Sequence, residues 1–169
     1  MTRNEIYTRL IDQFGEEPFD KSDEEFNEFI AVDTGQWYQV AKFLHNDPDL
    51  YFDSLMCITG VDLGPKDDVM EVVYDLHSMR HLHKITIKVI GPREEEFRVP
   101  SVESIWRIAD WHEREIYDLF GILFDGHRNL RRLLLPDDWE GHPLRKDYEV
   151  QEYYHGIRVP KIKPKKLTP

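Results

Sequence analysis

Three stretches of alternating apolar and polar residues follow one another with short connections, and they constrain the fold more than any other feature. They cover residues 52–61, 70–78 and 84–90, and the first is followed by the turn sequence of residues 62–65. Alternation with a period of two is typical of strands that bury one face. Because the connections are too short for a crossover helix, neighbouring strands must run in opposite directions. The sequence therefore predicts an antiparallel three-stranded meander.

Two helices are predicted before this meander. Thr2 and Glu5 have the spacing of a capping box, so the first helix begins near the start of the sequence, and Gly15 is a plausible end for it. Asp33 and Gln36 have the same spacing ahead of a second helix, which ends before residue 46 because of the Pro that follows. The second helix has an apolar face at helical spacing, formed by Trp37, Val40, Ala41 and Leu44.

The segments around these helices complete the predicted fold class. The acidic residues 16–25 are predicted to form a solvated linker, and residues 26–32 are apolar enough for a strand. We therefore expect an α+β fold in which helices pack on an antiparallel or mixed sheet of about four strands. A long irregular C-terminal loop and an extended tail follow the sheet.

Charge and cysteine content exclude several classes of function. Acidic residues outnumber Lys and Arg by 33 to 22, and a formal net charge of −11 argues against nucleic acid as a partner. A single cysteine, Cys57, excludes an internal disulfide and any metal or iron–sulfur site built from several cysteines of this chain. Its apolar neighbours predict a buried side chain. No stretch reaches the ~20 apolar residues of a membrane span, and the N-terminus lacks a signal-peptide pattern. We expect a cytosolic, soluble or peripheral protein.

Three histidines lie close to the predicted turn between the second and third strands. His81 and His83 would share a face if both were in a strand, which is one requirement of a metal site, and His77 is nearby. Without a supporting carboxylate, the polarity expected of a turn is the better interpretation.

A third helix is predicted to run from a cap at Ser101 to Phe120. Its apolar stripe has Glu113 near its centre, and a carboxylate on a core face is costly unless it is paired. The arginines that follow in the sequence are the candidate partners, so Glu113→Gln is expected to destabilise the junction between the helix and the following loop. The alternative is a helix that ends early and leaves Glu113 in solvent. The stripe consists of Ile105, Trp106, Ala109, Ile116 and Phe120, and the candidate arginines are Arg131, Arg132 and Arg145.

The opposite face of this helix has the composition of a protein–protein interface. Trp111 and Arg114 are three residues apart, with Glu115 and Asp118 beside them. Trp and Arg are the residue types that dominate interface hot spots. We expect this face to be exposed in the isolated chain and buried by a partner.

Residues 121–148 lack the periodicity of a helix or strand, apart from a possible short strand or turn at residues 130–135. Loops of this length are uncommon in compact domains and are usually functional or ordered by a partner. The sequence thus divides into an α+β domain (residues 1–120), a partner-docking loop (residues 121–148) and a basic tail (residues 149–169). An alternative is an enzyme that uses Glu113, His127 and His142 as acid–base groups.

The run EREIYDLFGILFDGHRNLRRLLLPDDWEGHPLRKDY closely resembles the signature of the C subunit of respiratory complex I, the proton-pumping NADH–quinone oxidoreductase. The resemblance extends upstream through ITGVD, EVVYDLHSMRHLHKITIKV and VPSVESIWRIADWHERE, and so covers roughly residues 33–148. Two positions depart from the pattern of the family. Glu149 follows KDY where a proline is common, and His127-Arg128 stands where histidine–proline is frequent.

The resemblance implies a non-redox hydrophilic subunit of the peripheral arm, which packs chiefly against the large quinone-site subunit. NADH, FMN, iron–sulfur clusters and quinone would then belong to partner subunits, on the cytoplasmic side of the inner membrane. A related quinone-reducing or membrane-bound hydrogenase complex is the alternative. The residues expected at partner contacts or in the supporting structure are Trp111, Glu113, Arg114, Asp118, Phe120, His127, Arg131, Arg132, Pro136, Asp137, Trp139, Arg145, Asp147 and Tyr148.

The end of the chain is basic and rich in proline. Residues 158–166 contain five basic residues and no acidic residue, with prolines at positions 160 and 164. Such a composition favours an extended, polyproline-like conformation. The tail is either a solvated end or an arm that docks on an acidic subunit or near anionic lipid headgroups.

Overall fold

The computed structural model describes residues 1–22, 28–93 and 96–159. Within them the chain forms an α+β fold with a mixed five-stranded sheet, which confirms the predicted fold class. The helices of this part of the chain are α1 (Arg3–Phe14), α2 (Trp37–Asn46) and α3 (Ala109–Phe120). Its strands are β1 (Phe19–Lys21), β2 (Ile30–Val32), β3 (Ser54–Gly64), β4 (Val69–Ser78), β5 (His83–Pro92), β6 (Arg98–Pro100), β7 (Leu123–Asp125), β8 (Tyr153–Tyr154) and β9 (Ile157–Arg158).

The main sheet has the order β1-β2-β5-β4-β3, and its centre is the predicted antiparallel meander. β2 joins it parallel to β5, which makes the sheet mixed. β1 lies inside residues 16–25, so the prediction of a plain linker there is wrong. Phe19 is buried and pairs with Val32, and this apolar side chain outweighs the surrounding acids. Part of the predicted strand at residues 26–32 falls outside the described residues, and β2 is the described part.

The first two helices form where the sequence predicts them, but only one has the predicted cap. Thr2 and Glu5 make the reciprocal hydrogen bonds of a capping box, and α1 ends at Gly15. α2 begins one turn later than a cap at Asp33 would place it, because residues 34–36 form a turn. The Asp33 carboxylate accepts a hydrogen bond from the Gly35 backbone instead, and Gln36, at the start of α2, makes no side-chain cap.

The helices cover one face of the sheet. The ring of Trp37 on α2 lies 4.3 Å from that of Tyr74 on β4. On β3, Gly60 lies under α3, and a Cβ built there would be 2.8 Å from the Phe120 ring. Since Gly60 pairs with Val72, two residues from Tyr74, both helices lie on the same face.

Cys57 is only half-buried, so the prediction of a buried thiol is wrong. A bulge in β3 separates it from Leu55 and shifts its register.

α3 begins seven residues later than a cap at Ser101 would place it. Ser101 does not cap it, because the Ser101 hydroxyl donates to the Glu113 carboxylate and Ser101 follows directly on β6. Residues 103–105 form a turn before the helix, closed by a hydrogen bond from the Ile105 backbone to Val102. Residues 130–135 form no strand, whereas β7 pairs parallel to β6.

Two of the three histidines near the β4–β5 turn, His81 and His83, hydrogen bond to backbone carbonyls, whereas His77 Nδ1 lies 3.3 Å from Met79 Sδ. His81 Nε2 lies 2.9 Å from Pro48 O, and His83 Nε2 lies 2.7 Å from Leu50 O. The two rings stack 5.6 Å apart. These contacts join the turn to the segment after α2. Of the basic tail, residues 160–169 lie outside the described residues.

Candidate partner interface

The last helix, α3, carries two buried carboxylates and one exposed aromatic side chain. Glu113 and Asp118 are both 0% exposed, whereas Trp111 is 59% exposed. Residues 121–148 fold back over the C-terminal half of α3 and contact the second of these carboxylates. The candidate interface is therefore formed by a helix and the loop that follows it.

Glu113 lies on the core face, as predicted, but the expected arginine partner is wrong. The Ser101 hydroxyl donates to Oε2 at 2.6 Å, and the Val102 backbone N–H donates to Oε1 at 2.8 Å. Burial raises the pKa of Glu113 from 4.5 to about 7, even though both hydrogen bonds act to lower it. Glu113 therefore fastens the segment before α3. Its raised pKa means that folding shifts Glu113 toward its neutral form relative to the unfolded chain.

His127 lies among three acidic side chains at the N-terminal half of α3. Its Nε2 is 3.4 Å from Asp110 Oδ1, 3.8 Å from Glu103 Oε2 and 4.0 Å from Glu113 Oε2. Since Nδ1 accepts a hydrogen bond from the Asn129 backbone, Nε2 carries the proton and donates to the Asp110 carbonyl oxygen. The imidazole is fully buried, so it joins the start of the loop to α3.

The same group has the residue types of a metal site, since ligand atoms of Glu103, Asp110 and His127 lie within 4.8 Å of one another. Arg128, however, donates to Glu103 Oε1 from its backbone and from Nε, at 2.9 and 2.8 Å. Burial alone would raise the pKa of Glu103, but these hydrogen bonds hold it below its usual value. The arrangement is that of a hydrogen-bonded junction between the helix and the loop.

Asp118 is buried beneath the loop, so the prediction that it belongs to an exposed face is wrong. Its Oδ2 accepts three backbone N–H groups in succession, from Leu133 at 3.0 Å, Leu134 at 2.8 Å and Leu135 at 2.9 Å. Its Oδ1 accepts from the Arg132 guanidinium at 2.8 Å. Burial opposes ionisation, but these donors together hold the pKa of Asp118 below its usual value. Successive N–H groups around one carboxylate form an anion-binding concavity.

Arg114 is also buried, at 7% exposure, and contacts both the loop and the exposed tryptophan. Its guanidinium donates to the carbonyl oxygens of Arg131 and Arg132, and it lies 5.2 Å from the Trp111 ring. A helical wheel places Arg114 outside the core, but the loop supplies a second buried face of α3. Trp111 and Glu115 remain exposed, as predicted.

The C-terminal end of α3 is capped by side chains from the loop. Arg145 Nε donates to the Phe120 carbonyl at 2.6 Å, and His142 Nδ1 lies 3.0 Å from the Asp118 carbonyl. The last carbonyls of a helix have no intrahelical donor, so these contacts satisfy groups that would otherwise need water. Gly121 follows in the left-handed conformation, with φ of 76°.

Another buried carboxylate, Asp62 on β3, holds the end of the loop. It accepts from Arg93 Nε at 2.8 Å and from the Lys146 backbone N–H at 2.7 Å, and Arg93 also bonds Asp147. Burial opposes ionisation here too, but these hydrogen bonds hold the pKa of Asp62 below its usual value. The roles of Asp62 and Arg93 were not predicted from the sequence, because Asp62 was assigned to a turn. The position of Asp62 at the end of a predicted strand was the signal that could have indicated its burial.

The remaining predicted residues lie along the outer part of the loop. Trp139 is half-buried, its ring lies 5.4 Å from that of Tyr154, and its carbonyl accepts from Arg132. Tyr148 is half-buried against Gly141. The exposed ones are Arg131, Pro136, Asp137 and Asp147.

Comparison with known proteins places this arrangement in a family. The family model described as "Respiratory-chain NADH dehydrogenase, 30 Kd subunit" matches residues 30–154, which include the meander, α3 and the loop. The chain belongs to this family. Two relatives, each named as the C subunit of an NADH-quinone oxidoreductase, are 46% identical over 91% of the chain. They come from Chloroherpeton thalassium and Chlorobium phaeobacteroides, and the chain spans 64% and 93% of their respective lengths.

A third relative of the same name, from Mycolicibacterium smegmatis, is 40% identical over 92% of the chain and 68% of its own length. Among solved structures, a chain of the membrane-bound sulfane sulfur reductase, an archaeal respiratory membrane complex, has the same fold. The TM-score is 0.69 at 24% identity, with 86% of this chain and 85% of that chain covered. Among the residues of this chain that the structure describes, no helix is both long enough and apolar enough to cross a membrane.

Proposed function

We propose that the chain is a non-redox structural and assembly subunit in the peripheral arm of a proton-translocating NADH–quinone oxidoreductase. In this role it packs near the large quinone-site subunit and supports electron transfer from NADH to quinone by holding that part of the complex together. The observation that carries the proposal is the loop of residues 121–148, which the buried carboxylates of Asp118 and Asp62 fasten to the fold while its outer side stays exposed. Family membership and the names of the relatives support it.

The docking surface that we propose consists of Trp111, Arg131 and the other exposed residues of the loop, with the buried Arg114 beneath them. Trp111 and Leu134 are 59% and 61% exposed, so both offer apolar area that a partner can bury. Arg114 lies against the Trp111 ring and bonds the carbonyl of Arg131, so these three residues are contiguous. A fixed aromatic anchor costs little entropy when a partner buries it.

We further propose that NADH, FMN, iron–sulfur clusters and quinone are bound by partner subunits, at the cytoplasmic side of the inner membrane. In support, the single cysteine of the sequence is half-buried, on β3. Iron–sulfur clusters are held mainly by several cysteine thiolates. This chain would then touch the membrane only through the complex.

Two alternative functions can be compared with specific observations. A subunit of a related quinone-reducing or hydrogenase complex is favoured by the fold shared with the archaeal respiratory complex. An acid–base enzyme requires Glu113, His127 and His142 to act together. Glu113 and His127 are both buried, 4.0 Å apart, whereas His142 bonds the carbonyl of Asp118 near the other end of α3.

The direct experiment is purification of the affinity-tagged chain from its native membrane in mild detergent. We expect subunits carrying flavin and iron–sulfur clusters to co-purify, together with NADH–quinone reductase activity. Hydrogenase subunits would instead support the first alternative, and a chain that elutes alone would contradict the proposal. Limited proteolysis of residues 121–148 should be slower in the complex than in the isolated chain.

A further inference from the structure

A second surface adjoins the docking surface, along the side of α3 that faces β3. A half-open groove of about 260 Å³ separates α3 from β3. Its strand wall consists of four consecutive residues, 57–60. The side chains of neighbouring strand residues point to opposite faces of the sheet. A groove that contacts four consecutive residues must therefore contact them along the backbone edge of the strand. The groove therefore runs along the edge of β3. Its helix wall has helical spacing and consists of His112, Glu115, Ile116 and Leu119.

Within the described residues, no strand pairs with the edge of β3 that faces this groove. β3 is the last strand in the sheet order and, among the residues that the structure describes, pairs only with β4. Residues 57–60 make no backbone hydrogen bond to any other described segment. Outward N–H and C=O groups on an edge strand are a template for another strand, and proteins usually block them with charge, proline or a covering element. Residues 57–60 (CITG) contain no charged residue and no proline.

We propose that this groove binds an extended segment of a neighbouring subunit, which pairs with β3 as a sixth strand of the sheet. An extended chain between an edge strand and a helix gains main-chain hydrogen bonds on one side and side-chain contacts on the other. The inference rests on the proposed function in one respect, namely that the partner is another subunit of the complex.

The side chains of the groove specify the chemistry of this segment. Ile116, Leu119 and the 51% exposed Leu144 offer apolar contacts, so apolar residues are expected at alternate positions of the bound strand. Glu115 is exposed on the helix wall, in a chain with a formal net charge of −11. A Lys or Arg of the bound strand is therefore expected to face Glu115, and a second copy of this acidic chain is disfavoured.

The test is amide hydrogen exchange of peptides covering residues 54–62, in the isolated full-length chain and in the purified complex. In the isolated chain the outward amides of residues 57–60 should exchange fast, because only the inward ones bond β4. In the complex they should slow by roughly 100-fold or more, since they gain hydrogen bonds. Cys57, the single cysteine, lines the groove, so its reaction with a maleimide should slow in parallel.

A charge variant separates strand binding from a general change on assembly. Glu115→Lys should restore faster exchange at residues 57–60 in the complex, because it opposes the expected basic residue. Asp12→Lys, an exposed acid on helix α1, is the matched control and should leave exchange unchanged.

Four outcomes would overturn the inference. Amide exchange at residues 57–60 that is the same in the complex as in the isolated chain would overturn it. If residues 121–148 were nevertheless protected in the same sample, the proposed function would still stand. Slow exchange in the isolated monomer would mean that the chain covers its own edge. Slowing that appears only as the isolated chain dimerises would assign the groove to a second copy. If Cys57 is protected from the maleimide while the amides of residues 57–60 still exchange fast, the groove is covered by a segment that does not pair with β3 as a strand.

Discussion

At the residue scale, the stability of the helix and its loop depends on how each buried carboxylate is neutralised. Asp118 has four donors, including a guanidinium, and its pKa is lowered. Glu113 has two neutral donors, no arginine among its hydrogen-bond partners in the described residues, and a raised pKa. Both side chains are 0% exposed on the same helix, so the difference comes from how deeply each carboxylate lies in the protein and from its donors. They should therefore respond to substitution and to pH in opposite ways.

Asp118→Asn should destabilise the chain by about 3 kcal/mol, because it removes a buried charge that compensates Arg132 and turns an amide NH₂ toward donors. The free energy of unfolding in urea measures this. Asp137→Asn, an exposed acid on the same loop, should change it by less than about 0.5 kcal/mol. Equal effects of the two substitutions would contradict the assigned role of Asp118.

Glu113→Gln tests the raised pKa, and the structure reverses the prediction made from a supposed arginine pair. The folded-state pKa of about 7 lies above the usual 4.5, so the folded chain keeps a proton that the unfolded chain releases between these values. The contribution of Glu113 to the free energy of unfolding is therefore fully present below pH 4.5. It declines as the pH rises to about 7, by about 3 kcal/mol in total.

Gln stays neutral and can still accept from Val102 and bond Ser101. The variant should therefore gain about 2 to 3 kcal/mol relative to the natural chain between pH 5 and pH 8, as followed by urea unfolding at each pH. A difference between the two proteins that does not change with pH would show that Glu113 titrates normally.

At the element scale, side chains of the loop hold the junction with α3 together by capping the helix. Gly121 needs the left-handed conformation, and a Cβ there would lie 2.5 Å from His142 Nε2. Gly126 has φ of 84°, and nothing lies within 4 Å of its Cβ position. The two glycines thus share the conformational requirement but differ in packing.

Gly121→Ala should cost about 1 to 2 kcal/mol more than Gly126→Ala, because both require the left-handed conformation and only the first displaces a capping side chain. Urea unfolding measures the difference, and faster proteolysis of residues 121–148 should accompany the Gly121 variant alone. Equal stability of the two variants would mean that His142 moves away without loss.

The same elements show what the sequence could and could not predict. Strand alternation and apolar spacing correctly predict the meander, α1, α2 and the inward direction of Glu113, since each depends on a local period. The start of α3 and the burial of Arg114 and Asp118 depend on contacts with Ser101 and the loop. A helical wheel contains no information about a second segment that covers the helix, so these features required the tertiary structure.

At the scale of the whole molecule, the proposed function makes Trp111 an anchor for another subunit. Trp111→Ala should weaken assembly by about 2 kcal/mol, or roughly 30-fold, while the stability of the isolated chain changes little. Tyr51→Ala is a matched control, since Tyr51 is also exposed and has Arg80 5.6 Å from its ring. The yield of complex from membranes measures both. A similar loss from both variants would point to a general defect.

Burial of Trp111 by another subunit can be measured by oxidative footprinting with mass spectrometry, in the isolated chain and in the purified complex. Trp111 is 59% exposed in the chain, so it should oxidise readily there. We expect its oxidation to fall at least tenfold in the complex, along with that of Leu134, because another subunit buries the docking surface. An equally fast oxidation of Trp111 in the assembled, active complex would contradict the proposed role of this chain.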